Sequence, residues 1–574
     1  MRLNIVESKN ARQYYVIESY RTEDGKNSSR IIEKLGSHEE LLKLHEDPEA
    51  WARAYVEELK QKEKEAGKKI LVKYSPNKQI EKDQVFLYEG GYLFLQKIFH
   101  QLRLDYICRK ISKDYKFEYN FTEILAHLVY GRVLFPRSKK GTYEYSQKLL
   151  EKPSYELHDV YRTLKVIAKN KDYIQSAVYK FSGEMGARND RILYYDCTNF
   201  YFEMEEESGL CKYGPSKENR PNPIVEMGLF MDGDGIPLAF CIHEGNTNEQ
   251  KTLIPLEKQI IEDFNHAKFI VCTDAGLSST ANRKFNNVAD RAFITVQSIK
   301  KMKDFQKEWA LSPEGWHLPG KKESFNLDTI LSSEESIEQY KNWTFYKEEW
   351  FNENDIEQRY IVTFDIKYML YMRHIRSKQI ERAQKAIDSS TKRDRTRKSD
   401  YKRYITKVSV TSGGEVASET IYALNEEKIM EEEKYDGFYA VATNLEDPVE
   451  SIIRANRRRW EIEESFRIMK SEFKSRPVYV SLDECITAHF TTCYLALIVY
   501  RYLERALGNK YTCEEILSQL QEMKFYKIPT HGYLPAYTRT DFTDDLHEVF
   551  GFRTDYEILS KSTMRSIISA TKKK

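Results

Sequence analysis

Three carboxylates in this sequence stand where a carboxylate needs a reason. Asp196 lies inside "RILYYDCTNFYFEM", a β-prone run whose other members are largely apolar or aromatic. A strand of that kind is normally buried, and an unpaired buried carboxylate is costly. Asp196 therefore needs a cation, a proton, a hydrogen-bond donor or an exposed edge. Asp274 follows the apolar run Phe269–Cys272 in "AKFIVCTDAG". Open α/β sheets hold their ligands at the carboxyl ends of strands, although an Asp before a glycine is also a common turn residue. A helix starting near Ser278 is expected to add backbone N–H groups suited to a phosphate.

The third candidate comes from "RRRWEIEESFRIMKSEF", residues 457–473, with Glu461, Glu463 and Glu464 set among arginines and a lysine. At 100° per residue, Ile462, Phe466, Met469 and Phe473 form one narrow stripe, the core face. Arg459, Glu463 and Lys470 form a second stripe beside it, and Glu461 and Glu464 are expected to face solvent. Taken alone, Arg459 and Glu463 read as an i,i+4 salt bridge. Taken with Asp196 and Asp274, Glu463 completes a set drawn from a strand, a strand end and a helix. Such a set can hold two Mg²⁺ ions ~3.5–4 Å apart on a phosphodiester, with the helix cations neutralising phosphates.

The elements that must position this set follow from periodicity. Residues 12–35 predict two strands joined at Asp24-Gly25, followed by a charged helical linker, "AWARAYVEELKQKEKEAGKK". Helical spacing runs from Val85 to Arg188, with packing and DNA binding both open for this region. From Arg191 the chain predicts strands, a hairpin around Asp232-Gly233-Asp234-Gly235, and then alternating helix and strand: an α/β domain with a mixed sheet. Residues 301–435 read as a β-rich, basic insertion before the strand "DGFYAVATN" resumes the α/β pattern. The expected divisions are 1–80, 81–188, 189–300, 301–435, 436–505 and 506–574.

Composition sets the limits. The chain of 574 residues carries 90 basic and 89 acidic residues, so any polyanion surface must be a local patch. Residues 376–403 form one, with eleven Lys or Arg against four Asp or Glu, a local +7. Lys392, Arg393, Arg395, Arg397 and Lys398 are its centre; a solvated linker is the plainer reading. The eight cysteines include no C-x-x-C pair, which fits buried free thiols in the cytoplasm. The apolar run "CYLALIVYRYL" is too short to span a bilayer and is interrupted by Arg501.

In "DCTNFYFE", "CTDAGLSS" and "NRRRWEIEESFRIMK" the sequence resembles insertion-sequence transposases of the Asp-Asp-Glu class, within the insertion-sequence-four superfamily marked by Tyr-x2-Arg-x3-Glu-x6-Lys. Asn456 stands where that signature has Tyr. The resemblance covers most of the chain and is weakest over residues 1–185. It implies a ribonuclease-H-like catalytic domain with a β-rich insertion, preceded by a mostly helical region. It implies Asp196, Asp274 and Glu463 as catalytic metal ligands, with Arg459, Lys470 and Arg467 on phosphates. It further implies Mg²⁺ with Mn²⁺ able to substitute, terminal inverted repeats and target DNA as partners, a homodimer on paired ends, and no membrane. A nuclease that cuts without joining, and a DNA-binding protein with dead chemistry, are the rival expectations.

Overall fold

The computed structural model describes residues 1–8, 11–21, 27–65, 70, 72, 75–77, 79–389, 400–410 and 419–573. Two compact units emerge, Met1–Gln84 and Val85–Lys574.

In the first unit β1 (Arg2–Ser8), β2 (Ala11–Arg21) and β3 (Asn27–Ser37) form an antiparallel sheet in that order. The two expected strands are present, and β1 is a third that the reading of residues 12–35 omitted; the Asp24-Gly25 turn lies outside the described residues. Ser37 and Glu40 cap the next helix reciprocally, satisfying backbone donors at its start. The helix Pro48–Glu65 belongs to this unit, since its Ala52 is buried with Tyr14 and Leu41. Trp51 stacks between His45 and Tyr55 at 4.3 and 5.4 Å.

In the second unit β4 (Leu87–Glu89) leads into six helices between Tyr92 and Ser182. Then come β5 (Ile192–Tyr201), β6 (Ile224–Met231), β7 (Pro237–Glu244), β8 (Ile270–Thr273) and β9 (Ala292–Val296). β5, β6 and β7 pair antiparallel, β8 lies parallel to β5, and β9 parallel to β8. β6 is buried along its whole length, and its residues are apolar apart from Glu226 and Gly228. The β6–β7 turn falls at Asp232–Gly235 as expected, with Gly235 at φ +75°, where a side chain would also strike the Glu461 carboxylate.

The stretch read as an insertion extends this sheet. β10 (Trp316–His317), β11 (Ser324–Phe325), β12 (Thr344–Glu353) and β13 (Ile356–Asp365) continue it, after which come the helix Ile366–Asp388 and a separate pair, β14 (Ile405–Val410) and β15 (Glu419–Leu424). β16 (Phe438–Thr443) then enters between β13 and β9, antiparallel to both. The ten-strand order is β11-β10-β12-β13-β16-β9-β8-β5-β6-β7, a large mixed sheet of the ribonuclease-H type.

Helices cover both faces. Leu193, Tyr195 and Cys197 of β5 pack against Leu253, Leu256 and Ile260 on one side. Tyr194 and Cys272 meet Val449, Ile452 and Ala455 of the helix Val449–Arg457 on the other. The helix Asp483–Ala506, which contains the longest apolar run, is a buried core helix. No helix among the described residues is long and apolar enough to cross a membrane. The C-terminal strands β17 (Lys524–Ile528), β18 (Gly532–Pro535) and β19 (Leu559–Ser560) join β4 in a second sheet. One continuous core thus links residues 92–178, the helix Asp483–Ala506 and the C-terminal region.

Candidate active site

β5 and β8 run parallel with Ile192 beside Ile270 and Tyr194 beside Cys272, so the register carries Asp196 level with Asp274. Strand alternation puts both on the face of Tyr194 and Cys272, just beyond the hydrophobic packing of the helix Val449–Arg457. Asp196 is the one partly exposed residue in the interior of a strand otherwise buried from Leu193 to Phe200. Burial pushes its carboxyl up to about 6; Lys217 and Arg459 oppose the rise, and Asp274 adds to it. Its Oδ1 accepts the Cys197 N–H at 2.8 Å. Asp274 caps the short turn Ala275–Leu277, accepting from the N–H groups of Gly276 and Leu277 at 2.9 and 3.2 Å. Ser279 takes the Asn282 N–H in the same way. Of the N–H groups that open the helix Thr280–Phe285, that of Asn282 is therefore taken up within the loop.

The glutamate segment is less regular than one helix. It breaks at Arg458–Arg459, continues as Trp460–Arg467 and ends in a π-helical turn, Ile468–Glu472. The expected core stripe holds: Ile462, Phe466, Met469 and Phe473 are all buried. The exposures of the three glutamates run opposite to the expectation for Glu461 and Glu464. Glu463 is 59% exposed, Glu464 29% and Glu461 17%. Glu461 lies against the β6–β7 turn at Gly235 while bonding Arg458 at 3.0 Å, and Glu464 bonds Arg467 at 2.7 Å, whereas Glu463 stays exposed although it too has an arginine partner.

Glu463 pairs with Arg459 at 3.2 Å. The Arg459 Nε is buried without a hydrogen-bond partner, and its charge acts on both Asp196 and Cys272. Arg459 thus pairs with the glutamate while its charge reaches Asp196. Lys470 reaches the same strand from the π turn, its Nζ donating to Thr198 Oγ1 at 2.6 Å, two residues beyond Asp196. Burial draws Lys470 down to about 8, and Lys217 adds to the fall. Arg467 is taken up by Glu464 and Glu472, the latter at 3.3 Å. Lys392, Arg393, Arg395, Arg397 and Lys398 lie outside the described residues.

Asn456 donates from Nδ2 to the Tyr439 hydroxyl at 3.1 Å. Both line a cavity of about 610 Å³ with Tyr368, Arg459, Trp460 and Glu463. Sequence reasoning missed Lys217, Glu226 and Glu249. Lys217 comes from a loop without periodicity, "KYGPSKENRPNP", and its partners are distant in the chain. Glu226 is buried, and burial pushes its carboxyl up to about 8, with Glu249 adding to the rise.

All eight cysteines are free, and seven are buried. An acid–histidine group, Asp544, His547 and Asp555, sits in the C-terminal region. Arg553 holds both of its carboxylates, and His547 Nε2 accepts the Thr554 N–H, so it is a closed ionic cluster.

The sheet is of ribonuclease-H type, with one aspartate inside a central strand and the other just past the end of the neighbouring parallel strand. Residues 212–499, half of the chain, match the profile of the transposase DDE domain. The chain belongs to that family of transposases. Residues 3–70 match the N-terminal domain of IS1634 family transposases. Asp274 and Glu463 fall inside the larger match, and Asp196 precedes it. Among solved structures, the piggyBac transposase synaptic complex with hairpin DNA is similar at 8% identity, over 84% of this chain and 85% of that one, with a TM-score of 0.37. The Mos1 transposase paired-end complex with left transposon end is similar at 16% identity, over 25% of this chain and 46% of that one, with a TM-score of 0.13. No curated protein matches the chain.

Proposed function

We propose that this transposase acts in the cytoplasm, binding the terminal inverted repeats of its own element as a homodimer. It cleaves the element ends and joins their 3′-hydroxyls to target DNA. The observation that supports this most is the level pair Asp196 and Asp274, with Arg459 and Lys470 converging on it from the glutamate segment.

The residues present fit a divalent cation. Asp196 and Asp274 are hard oxygen donors set level on neighbouring strands, and burial with the nearby Asp274 charge holds the Asp196 carboxyl up despite Lys217 and Arg459, a strain that a divalent cation would relieve. Asp196, Asp274 and Glu463 would hold Mg²⁺, as two ions, or Mn²⁺ in its place. When bound, the metal supplies an activated hydroxyl and charge neutralisation at the phosphodiester. Arg459 would release Glu463 and take a phosphate oxygen, a bidentate role to which its fork is suited. Lys470, fixed by Thr198, holds a second phosphate. Arg467 contributes to backbone binding only if it leaves Glu464. Residues 1–185 supply most of the sequence-specific end contacts, and Met1–Gln84 is the part of them that forms a unit of its own.

The test mixes the full chain with a labelled duplex carrying an element end, a supercoiled target plasmid and Mg²⁺. Label covalently joined to the plasmid is the expected result. Cleaved ends with no joined product would instead identify a nuclease.

A further inference from the structure

The segment Tyr213–Pro223, between β5 and β6, closes on itself, because Lys212 and Ile224 pair at its base through hydrogen bonds of 3.1 and 2.8 Å. Asn199, buried on β5, grips its middle. Its Nδ2 donates to Pro215 O at 3.0 Å and its Oδ1 accepts from Lys217 N at 3.3 Å. The strand that carries Asp196 therefore also fixes the backbone of Lys217. The Lys217 Nζ donates to Cys197 O, one residue beyond Asp196, at 2.5 Å, and lies 3.0 Å from Glu249 Oε1.

We propose that Lys217 is a substrate-phosphate ligand of this site, parked on Glu249 in the DNA-free protein and transferred to the backbone phosphate beside the cut. This rests on the reading of the site given above. Three features point to a phosphate. The Lys217–Glu249 pair is 43% and 33% exposed, so water already competes for it and a phosphate oxygen can replace the carboxylate. Lys217 and Lys470 repel each other and share Asp196 and Glu226 as neighbouring carboxylates, so a cation that takes up Asp196 leaves the two lysines short of negative charge. Lys217 is held near by the Asp196 charge, and a cation on Asp196 removes that attraction and leaves a phosphate oxygen as the better partner.

The test measures equilibrium binding of an end-carrying duplex by the full chain in Ca²⁺, a hard cation that occupies oxygen ligands, and cleavage in Mg²⁺. Lys217→Met should weaken binding roughly tenfold and reduce the salt slope by about 0.9, one phosphate contact. A duplex with a single uncharged methylphosphonate beside the cut should cost the wild type a similar loss and Lys217→Met nothing further. Glu249→Gln should bind at least as well as wild type, because it frees the lysine. If Glu249→Gln and Lys217→Met shared one defect, the pair would be a structural brace and the proposal would fall. Equal sensitivity of wild type and Lys217→Met at every methylphosphonate position would also overturn it. Should Lys217→Met fail to fold, Lys217→Arg decides: it keeps the charge and should keep the salt slope, and a lost slope overturns the proposal. Asp196→Asn separates the two readings. If it cuts normally the site itself is wrong, whereas if it is inactive while Lys217→Met matches wild type in both assays, only the role of Lys217 fails.

Discussion

Glu463 is paired with Arg459 in the DNA-free protein yet stays 59% exposed, and that guanidinium is equally suited to a phosphate. Exposure therefore distinguishes Glu463 from its neighbours, which are tied down by Arg458 and Arg467. Glu464→Gln loses only a partly exposed pair worth less than about 1 kcal/mol, and cleavage should stay within about fivefold of wild type. A single-turnover assay on an end-carrying duplex reads this directly. Asp196 and Asp274 were legible in the sequence because one interrupts an apolar strand and the other ends one. Lys217 was not, because the groups that give it meaning, at 197, 199 and 249, are brought to it only by the fold. The helical wheel found the buried stripe of the glutamate segment but not the fates of Glu461 and Glu464, which depend on which arginine each one meets.

Among the elements, the turn carrying Asp274 is braced from behind. Glu257, buried on the helix Leu253–Asp263, accepts the Asn286 Nδ2 at 2.7 Å, tying that helix to the one after Asp274. Burial pushes the Glu257 carboxyl up from 4.5 to about 8, so the folded state holds a proton that the unfolded chain releases. The stabilisation is complete below pH 4.5 and is lost as pH rises to about 8. Glu257→Gln keeps the acceptor and removes the titration, so its melting temperature relative to wild type should rise across that window and level off above it. The basic stretch makes a second prediction at this scale. Neutralising Lys392, Arg393, Arg395, Arg397 and Lys398 should flatten the salt dependence of DNA binding, and an unchanged slope would mark a solvated linker. Strand identity was largely legible here, but sheet order was not. Periodicity gives β12 and β13 as strands and cannot say that β16 pairs with β13, which turns an expected insertion into one edge of the catalytic sheet.

For the whole molecule, the continuous core from residue 92 to the C-terminal region makes a deletion of residues 1–185 destructive, since it strips buried side chains from that core. The unit boundary at Gln84 offers the cleaner cut. A chain lacking Met1–Gln84 should keep weak, salt-sensitive DNA binding and lose its preference for element ends, because phosphate contacts position and base contacts specify. Competition between end and random duplexes measures that preference. The central claim is that Asp196, Asp274 and Glu463, delivered by a strand, a strand end and a helix, act as one unit. Residues that act as one unit are non-additive on mutation. The direct measurement is Mg²⁺-dependent single-turnover cleavage by Asp196→Asn, Asp274→Asn, Glu463→Gln and their double combinations, with end binding checked in chelator. The account predicts that each single change lowers cleavage by roughly 10³-fold or more, that doubles fall no further, and that binding survives. Normal cleavage by Glu463→Gln, or losses that simply multiply in the doubles, would contradict it.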